Sequence, residues 1–254
     1  MIDVVAYLQR IGFREQPRQP SAELLRELHW RHLFSVPFEN LDIHLGRDIP
    51  LDVERAFEKV VRQRRGGFCY EVNVLFHYLL RALGFRVRFI TSRVYRLDTG
   101  EFAPDYGHIA NIVSVDGEEW LADVGFGDGF IYPLRLVFDV PQPQRGVTYL
   151  LLPAGAGEVR LDKSTDDGDF SCQYTFSLRP VRLEDFQAMC RYHQTSPHSI
   201  FTQRRLCTLP NTRGRTTIAG DKLIATVDGV KSTRHLRDEA EFHQLLQSLF
   251  GIRL

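Results

Sequence analysis

The sequence predicts an α+β fold, with helices and strands segregated along the chain. As far as residue 83 the text reads as helical. From Arg86 it changes to short runs rich in β-branched and aromatic residues separated by turn residues, and near the end Phe242, Leu245, Leu246 and Leu249 return to helical spacing.

In chain order, Ser21 offers an N-cap for ELLRELHWRHLF, with Glu23 in its first turn, and Asp52 can cap VERAFEKVV. Between them SVPFENLD is broken by Pro37. In RRGGFCYEVNVLFHYLLRALG, the residues Val72, Leu75, Phe76, Leu79, Leu80 and Leu83 keep helical spacing and Gly84 ends the run. The runs RVRFITSRVYR, HIANIVSV, EEWLADV, VTYLLL, YTFSL, TTIA and KLIATV read as strands of an antiparallel sheet or barrel. Pro141 to Gly146 and DKSTDDGDF read as surface loops, and RDEAEFHQLLQSLF as a helix packed back on the sheet.

Composition narrows the function. Lys plus Arg and Asp plus Glu balance at 32 each, so there is no positive excess to neutralise a nucleic acid or an anionic membrane, and neither is expected as a partner. The segment MIDVVAYLQRIGF carries Asp3 and lacks the pattern of a secretory signal, and no stretch has the apolar length of a membrane span, so a cytoplasmic location is expected. Cys69, Cys172, Cys190 and Cys207 form no CxxC pair, which argues against a disulfide scaffold and a zinc site; free thiols and no metal are expected.

One cysteine is placed for chemistry. Cys69 opens a buried helix, where unpaired N–H groups and the helix dipole favour an anion and draw a thiol below its free value of about 8.5. Gly66 and Gly67 suggest a turn with unusual backbone angles and room for a substrate. Asp116-Gly117 is typical of a two-residue hairpin turn, and pairing Val115 with Glu118 places His108 opposite Gly125, with Asp123 a diagonal neighbour on the same face. Such neighbours are about 7 to 8 Å apart at the backbone, close enough for a carboxylate to bond an imidazole Nδ1–H. The other ring nitrogen would then take the Cys69 proton, and a thiol so paired falls to about 3 to 4. Singly, each of these residues reads as ordinary packing or capping; together they describe a catalytic triad.

The segment RGGFCYEVN resembles the signature R-G-G-x-C-x-E-x-N of the arylamine N-acetyltransferases, matching at Arg65, Gly66, Gly67, Cys69, Glu71 and Asn73. The resemblance extends to PFENL at Pro37 to Leu41, GHIANIV around His108, LADVGFGD around Asp123 and SPHSIFTQRRLCTL. It implies three parts with a papain-like cysteine-triad arrangement: a helical bundle over 1–84 with the catalytic Cys, a β-barrel over 85–190 with the His and Asp, and an α/β lid over 191–254. It further implies ping-pong transfer of an acetyl group from acetyl-coenzyme A, through an acetyl-Cys69 intermediate, to an arylamine, arylhydrazine or arylhydroxylamine. Phe38, Phe126 and Phe201 match positions that line the acceptor pocket. Gly125, Gly127 and Phe201 match positions near the coenzyme, and Glu39 and Arg65 match a pair that braces the Gly66-Gly67 turn.

Three other readings stay open on the residues. A transglutaminase-like or peptidase-like thiol enzyme shares the Cys, His, Asp order, although the C-G-[SA]-C-[WY] motif of papain-like peptidases is absent. An amide synthase of the same fold would use another acyl donor, and a non-catalytic binding module would carry the triad by accident.

Overall fold

The computed structural model of the chain describes residues 2–17, 19–165 and 168–254. Helix α1 (Val4–Arg10) starts at Asp3, whose carboxylate accepts the Ala6 N–H at 3.0 Å. In α2 (Ala22–Ser35) the Ser21 hydroxyl accepts the Leu24 N–H at 3.1 Å, the cap read from the sequence. SVPFENLD, where no element was expected, contains strand β1 (Phe38–Glu39), followed by α3 (Leu41–His44). Asp52 caps α4 (Val53–Phe57), which widens into a π-turn over Glu58–Arg62 closed by Gln63 N–H to Glu58 C=O at 2.9 Å. Helix α5 (Cys69–Ala82) is buried on nearly every side, and Gly84 at φ +89° ends it. One side of α5, with Leu75, Phe76 and Leu79, packs with Tyr7, Leu25 and Leu28; Val74 and Tyr70 pack with Phe89 and Ile109 of the sheet.

The strands that follow are β2 (Arg86–Arg96), β3 (Glu101–Phe102), β4 (His108–Val115), β5 (Glu118–Ala122), β6 (Leu134–Arg135), β7 (Gln142–Gln144), β8 (Val147–Pro153), β9 (Glu158–Ser164) and β10 (Ser171–Ser177). They form a nine-stranded antiparallel sheet in the order β6-β5-β4-β2-β10-β9-β8-β7, with β3 paired to β2. The sheet curls into a nearly closed barrel around Ile112, Leu121, Phe130, Leu151, Tyr174 and Phe176. Its two edges are joined by side-chain amides: Gln142 exchanges bonds with Arg135 N–H and C=O at 2.9 and 3.0 Å, and Gln144 takes the N–H groups of Ile131 and Tyr132 at 3.0 and 2.8 Å. These glutamines satisfy an edge that would otherwise present unpaired backbone groups. The loop expected over Pro141 to Gly146 is therefore corrected to an edge strand, which tolerates Pro143, and a turn at Arg145 and Gly146 with φ of 51° and 79°. Of the loop expected over DKSTDDGDF, Asp162 to Ser164 complete β9, and Asp166 and Asp167 lie outside the described residues.

Beyond the barrel come a 3₁₀ turn (Leu183–Phe186), α6 (Gln187–Thr195) and α7 (Ile200–Gln203). The boundary expected between 190 and 191 falls inside α6. A second antiparallel sheet holds β11 (Leu206–Asn211), β12 (Gly214–Ala219), β13 (Lys222–Val227) and β14 (Val230–His235), with β1 as its other edge. Helix α8 (Glu239–Phe250) is capped by Asp238 and seats Phe242, Leu246 and Phe250 beside Cys207 and Ile218. Leu249, expected on that apolar face, is instead exposed. Among the described residues no helix is long and apolar enough to cross a membrane.

Candidate active site

The hairpin register brings His108 to Asp123. Strands β4 and β5 pair without a bulge from Val115↔Glu118 to Asn111↔Ala122, around Asp116 and Gly117 at φ 54° and 76°. The chain then leaves the ladder, and the Asp123 Oδ2 lies 2.7 Å from His108 Nε2. This corrects the atom: the expected partner was Nδ1, but a carboxylate beyond the end of the strand meets the ring at its far nitrogen. The nitrogen nearer the backbone is left available. Ile109, the residue after His108, packs in the same buried cluster as Cys69.

Asp123 is fully surrounded by donors. Oδ2 also accepts Tyr174 Oη–H at 3.1 Å, and Oδ1 accepts Asn73 Nδ2–H at 2.8 Å and Gly125 N–H at 2.9 Å. Burial works to raise this carboxyl, but the His108 ring and these bonds outweigh it and hold it below the ordinary range. Behind it the Asp123 N–H donates to His29 Nε2 at 3.2 Å. Burial lowers His29 to about 4, so at neutral pH its Nε2 is free to accept while Nδ1–H bonds the Ile131 carbonyl.

Asn73 ties the three chain segments together. One helical turn after Cys69, it bonds Ile109 C=O at 2.7 Å as well as Asp123, and its Oδ1 accepts Val124 N–H at 2.8 Å. Asn73→Ala is expected to cost about 2 to 4 kcal/mol in denaturant unfolding, because buried groups lose their partners. Turnover should fall at least tenfold, on the order expected when a reacting group shifts by a fraction of an ångström.

The glycines before Cys69 serve a different purpose from the one expected. Neither has a positive φ, and the space beside them is filled. A Cβ on Gly66 would stand 2.0 Å from the Pro37 carbonyl oxygen, and one on Gly67 would stand 2.8 Å from Glu71 Oε2. Their bareness lets the turn run beside β1, with Glu39 N–H to Gly67 C=O at 3.0 Å and Gly67 N–H to Pro37 C=O at 3.3 Å. Gly66→Ala must displace backbone, and a loss of about 3 kcal/mol or more, read as a lowered urea midpoint, is the expected result.

Cys69 itself is buried, and burial pushes its thiol up, with Cys190 and Asp123 adding to the rise. The Ile109 and Tyr70 N–H groups only partly offset this. Burial thus works against the depressed thiol expected from the helix N-terminus and from pairing with His108.

Beneath the turn lies a buried charge network. Arg65 reaches Glu39 at 2.8 Å and Asp42 at 3.0 Å, and Lys59 reaches Asp42 at 2.8 Å, Glu71 at 2.8 Å and Glu39 at 3.8 Å. Glu39 also accepts the Leu41 N–H at 2.7 Å, and Glu71 the Phe68 N–H at 3.1 Å. Burial pushes Glu71 up to about 7, with Lys59 the main influence against it.

The aromatic residues form two groups. Phe38 stands 6.2 Å from Phe201, which also packs against Phe68 and His193, whereas Phe126 stands 5.5 Å from His108 and 5.0 Å from Tyr174. Gly125 is pressed on the helix start, where a Cβ would come within 2.9 Å of Cys69 Cα. Its N–H donates to Asp123 Oδ1 at 2.9 Å. Gly127, at φ +85°, lies over the Phe38 ring, and the following Asp128 pairs with Lys163 and Arg215 at 3.1 Å each. Among the described residues no cluster of His, Cys, Asp and Glu could hold a metal ion.

The supporting residues Asn73, Tyr174, His29, Asp42 and Lys59 were not assigned roles from the sequence. Only Asn73 had a usable signal, its spacing from Cys69. Tyr174 sits on β10, and nothing local marks it as a partner of Asp123.

Comparison with known proteins agrees with this arrangement. The profile of the N-acetyltransferase family matches residues 21–254. Human arylamine N-acetyltransferase 1 is 30% identical over 100% of this chain and 95% of its own length. Among solved structures, the arylamine N-acetyltransferase of Mycobacterium smegmatis superposes with a TM-score of 0.92 at 31% identity, over 100% of this chain and 93% of that one. That of Bacillus cereus, for which a Cys-His-Glu catalytic triad is described, gives a TM-score of 0.91 at 26% identity, covering 100% of both chains. The chain therefore belongs to the arylamine N-acetyltransferase family, whose members are acyltransferases.

Proposed function

We propose that the chain moves an acetyl group from acetyl-coenzyme A to the nitrogen of an arylamine, arylhydrazine or arylhydroxylamine, by a ping-pong route through acetyl-Cys69. The observation that carries this reading is the buried Asp123 carboxylate, held by four donors of which His108 Nε2 is one, with Ile109, the residue after His108, packed in the same cluster as Cys69. The Cys-His-Glu catalytic triad described for the Bacillus cereus relative, which likewise ends in a carboxylate, supports the same roles.

In the first half-reaction the Cys69 proton passes to His108 as the sulfur attacks the thioester carbonyl. The bond to coenzyme A breaks, and the departing thiolate takes that proton. In the second, the amine nitrogen attacks the acetyl carbon, its proton goes to His108, and the proton is returned to Cys69 as the C–S bond breaks. Phe38, Phe126 and Phe201 supply apolar walls for the aromatic acceptor, and Gly127 and Phe201 the side on which the donor enters. The helices up to residue 84 present the thiol, the barrel presents the imidazole and carboxylate, and the second sheet with α8 covers them. A cytoplasmic location fits four cysteines that are all free thiols.

Intact mass after brief exposure to acetyl-coenzyme A, followed by peptide mapping, tests this. One acetyl group on Cys69, discharged by an arylamine or arylhydrazine, is the expected result. No adduct on folded protein with a reactive Cys69 would reject acetyl-coenzyme A as donor and favour an amide synthase with another acyl donor.

A further inference from the structure

The mechanism does not use Lys59, yet few residues are more committed. It lies in the π-turn after α4, and the wider turn carries Lys59, Val60 and Val61 inward while Arg62 and Gln63 stay outside. Its backbone carbonyl accepts the Arg65 N–H at 3.0 Å, and its ammonium meets three carboxylates. Two of these, Glu39 and Asp42, are shared with Arg65; Glu71 has no other cation within salt-bridge reach among the described contacts.

Glu71 is wedged between Lys59 and the nucleophile's turn. Both its oxygens lie on the ammonium, at 2.8 and 3.1 Å, and Oε2 also accepts the N–H of Phe68, the residue before Cys69. Gly67 packs closely on Glu71, where a Cβ on the glycine would stand 2.8 Å from Oε2. We infer that Lys59 is a positioning residue for Cys69: through Glu71 it fixes the Gly66 to Phe68 turn from which the thiol is presented. The raised value of Glu71 agrees, since without the ammonium the buried carboxyl would take up a proton and loosen its hold on Phe68.

The inference rests on Cys69 being the reacting thiol, but its test does not need the acyl donor. The rate of Cys69 alkylation by iodoacetamide, resolved from the other cysteines by peptide mapping, reads the thiol directly. Lys59→Met is expected to slow alkylation and acyl transfer on the order of 10- to 100-fold. Lys59→Met combined with Glu71→Gln removes one charge of each sign, keeps an acceptor for Phe68, and should return alkylation to within about threefold of the parent.

Lys59→Met alkylating at the parental rate would overturn the inference, as would a folded double variant as slow as the single one. If Lys59→Met does not fold, the double variant decides alone, supporting the inference at a near-parental rate and overturning it at a slow one. Should the parent protein alkylate normally but form no acetyl adduct, the donor assignment fails and the role of Lys59 stands or falls separately.

Discussion

Asp123→Asn is expected to lower turnover by about 10⁴-fold while leaving a folded protein at neutral pH. The amide can keep Oδ1 facing Asn73 and Gly125, which places its NH₂ toward His108 Nε2 and Tyr174. Nε2 must then accept rather than donate, so the ring's proton moves to Nδ1, the nitrogen that has to receive the Cys69 proton. The imidazolium that forms during attack also loses its counter-charge. A drop smaller than about 100-fold, measured as kcat with saturating donor, would show that His108 does not depend on Asp123 for its tautomer.

Acid unfolding gives an independent check on the same residue. The folded-state value of Asp123 is depressed, so its contribution to stability is fully present above the unfolded value of about 3.9 and is lost as pH falls through the lower folded value. The stability difference between the parent and Asp123→Asn should therefore be constant from neutral pH to about 5 and shrink below about 3.9.

Cys69→Ala should abolish transfer, with no acetyl adduct and a loss of at least about 10⁴-fold in kcat. Its effect on stability is expected to be small, within about 1 kcal/mol by urea unfolding, because only one sulfur atom is removed and the backbone at the helix start is unchanged. That contrast separates Cys69 from Gly66, whose substitution by Ala disturbs the backbone and should lower both stability and activity. A Cys69→Ala protein that still acetylates an arylamine would end the covalent route.

Much of the site was readable because its signals are local. The Ser21 cap, the helix opening at Cys69 and the Asp116-Gly117 turn each depend on residues a few positions apart, and the turn register holds outward to Asn111 and Ala122, short of the expected pairing of His108 with Gly125. Other strands gave weaker local signals. β7 contains Pro143, β14 is exposed along its whole length, and β1 has only two residues whose pairing partner lies in the C-terminal sheet.

The sequence by itself determined which residues could do the chemistry and on which elements they stand, since periodicity, caps and turn residues are properties of neighbouring positions. Only the tertiary structure decided which atoms meet. It set Nε2 rather than Nδ1 against Asp123, placed Tyr174 and Asn73 on the same carboxylate, filled the space beside Gly66 with the Pro37 carbonyl, and buried Lys59 among three acids. It also buried the thiol: packing the barrel on α5 adds a desolvation that works against the anion favoured by the helix N-terminus. Desolvation and contacts between distant segments depend on how the whole chain packs, and no local pattern in the sequence encodes them.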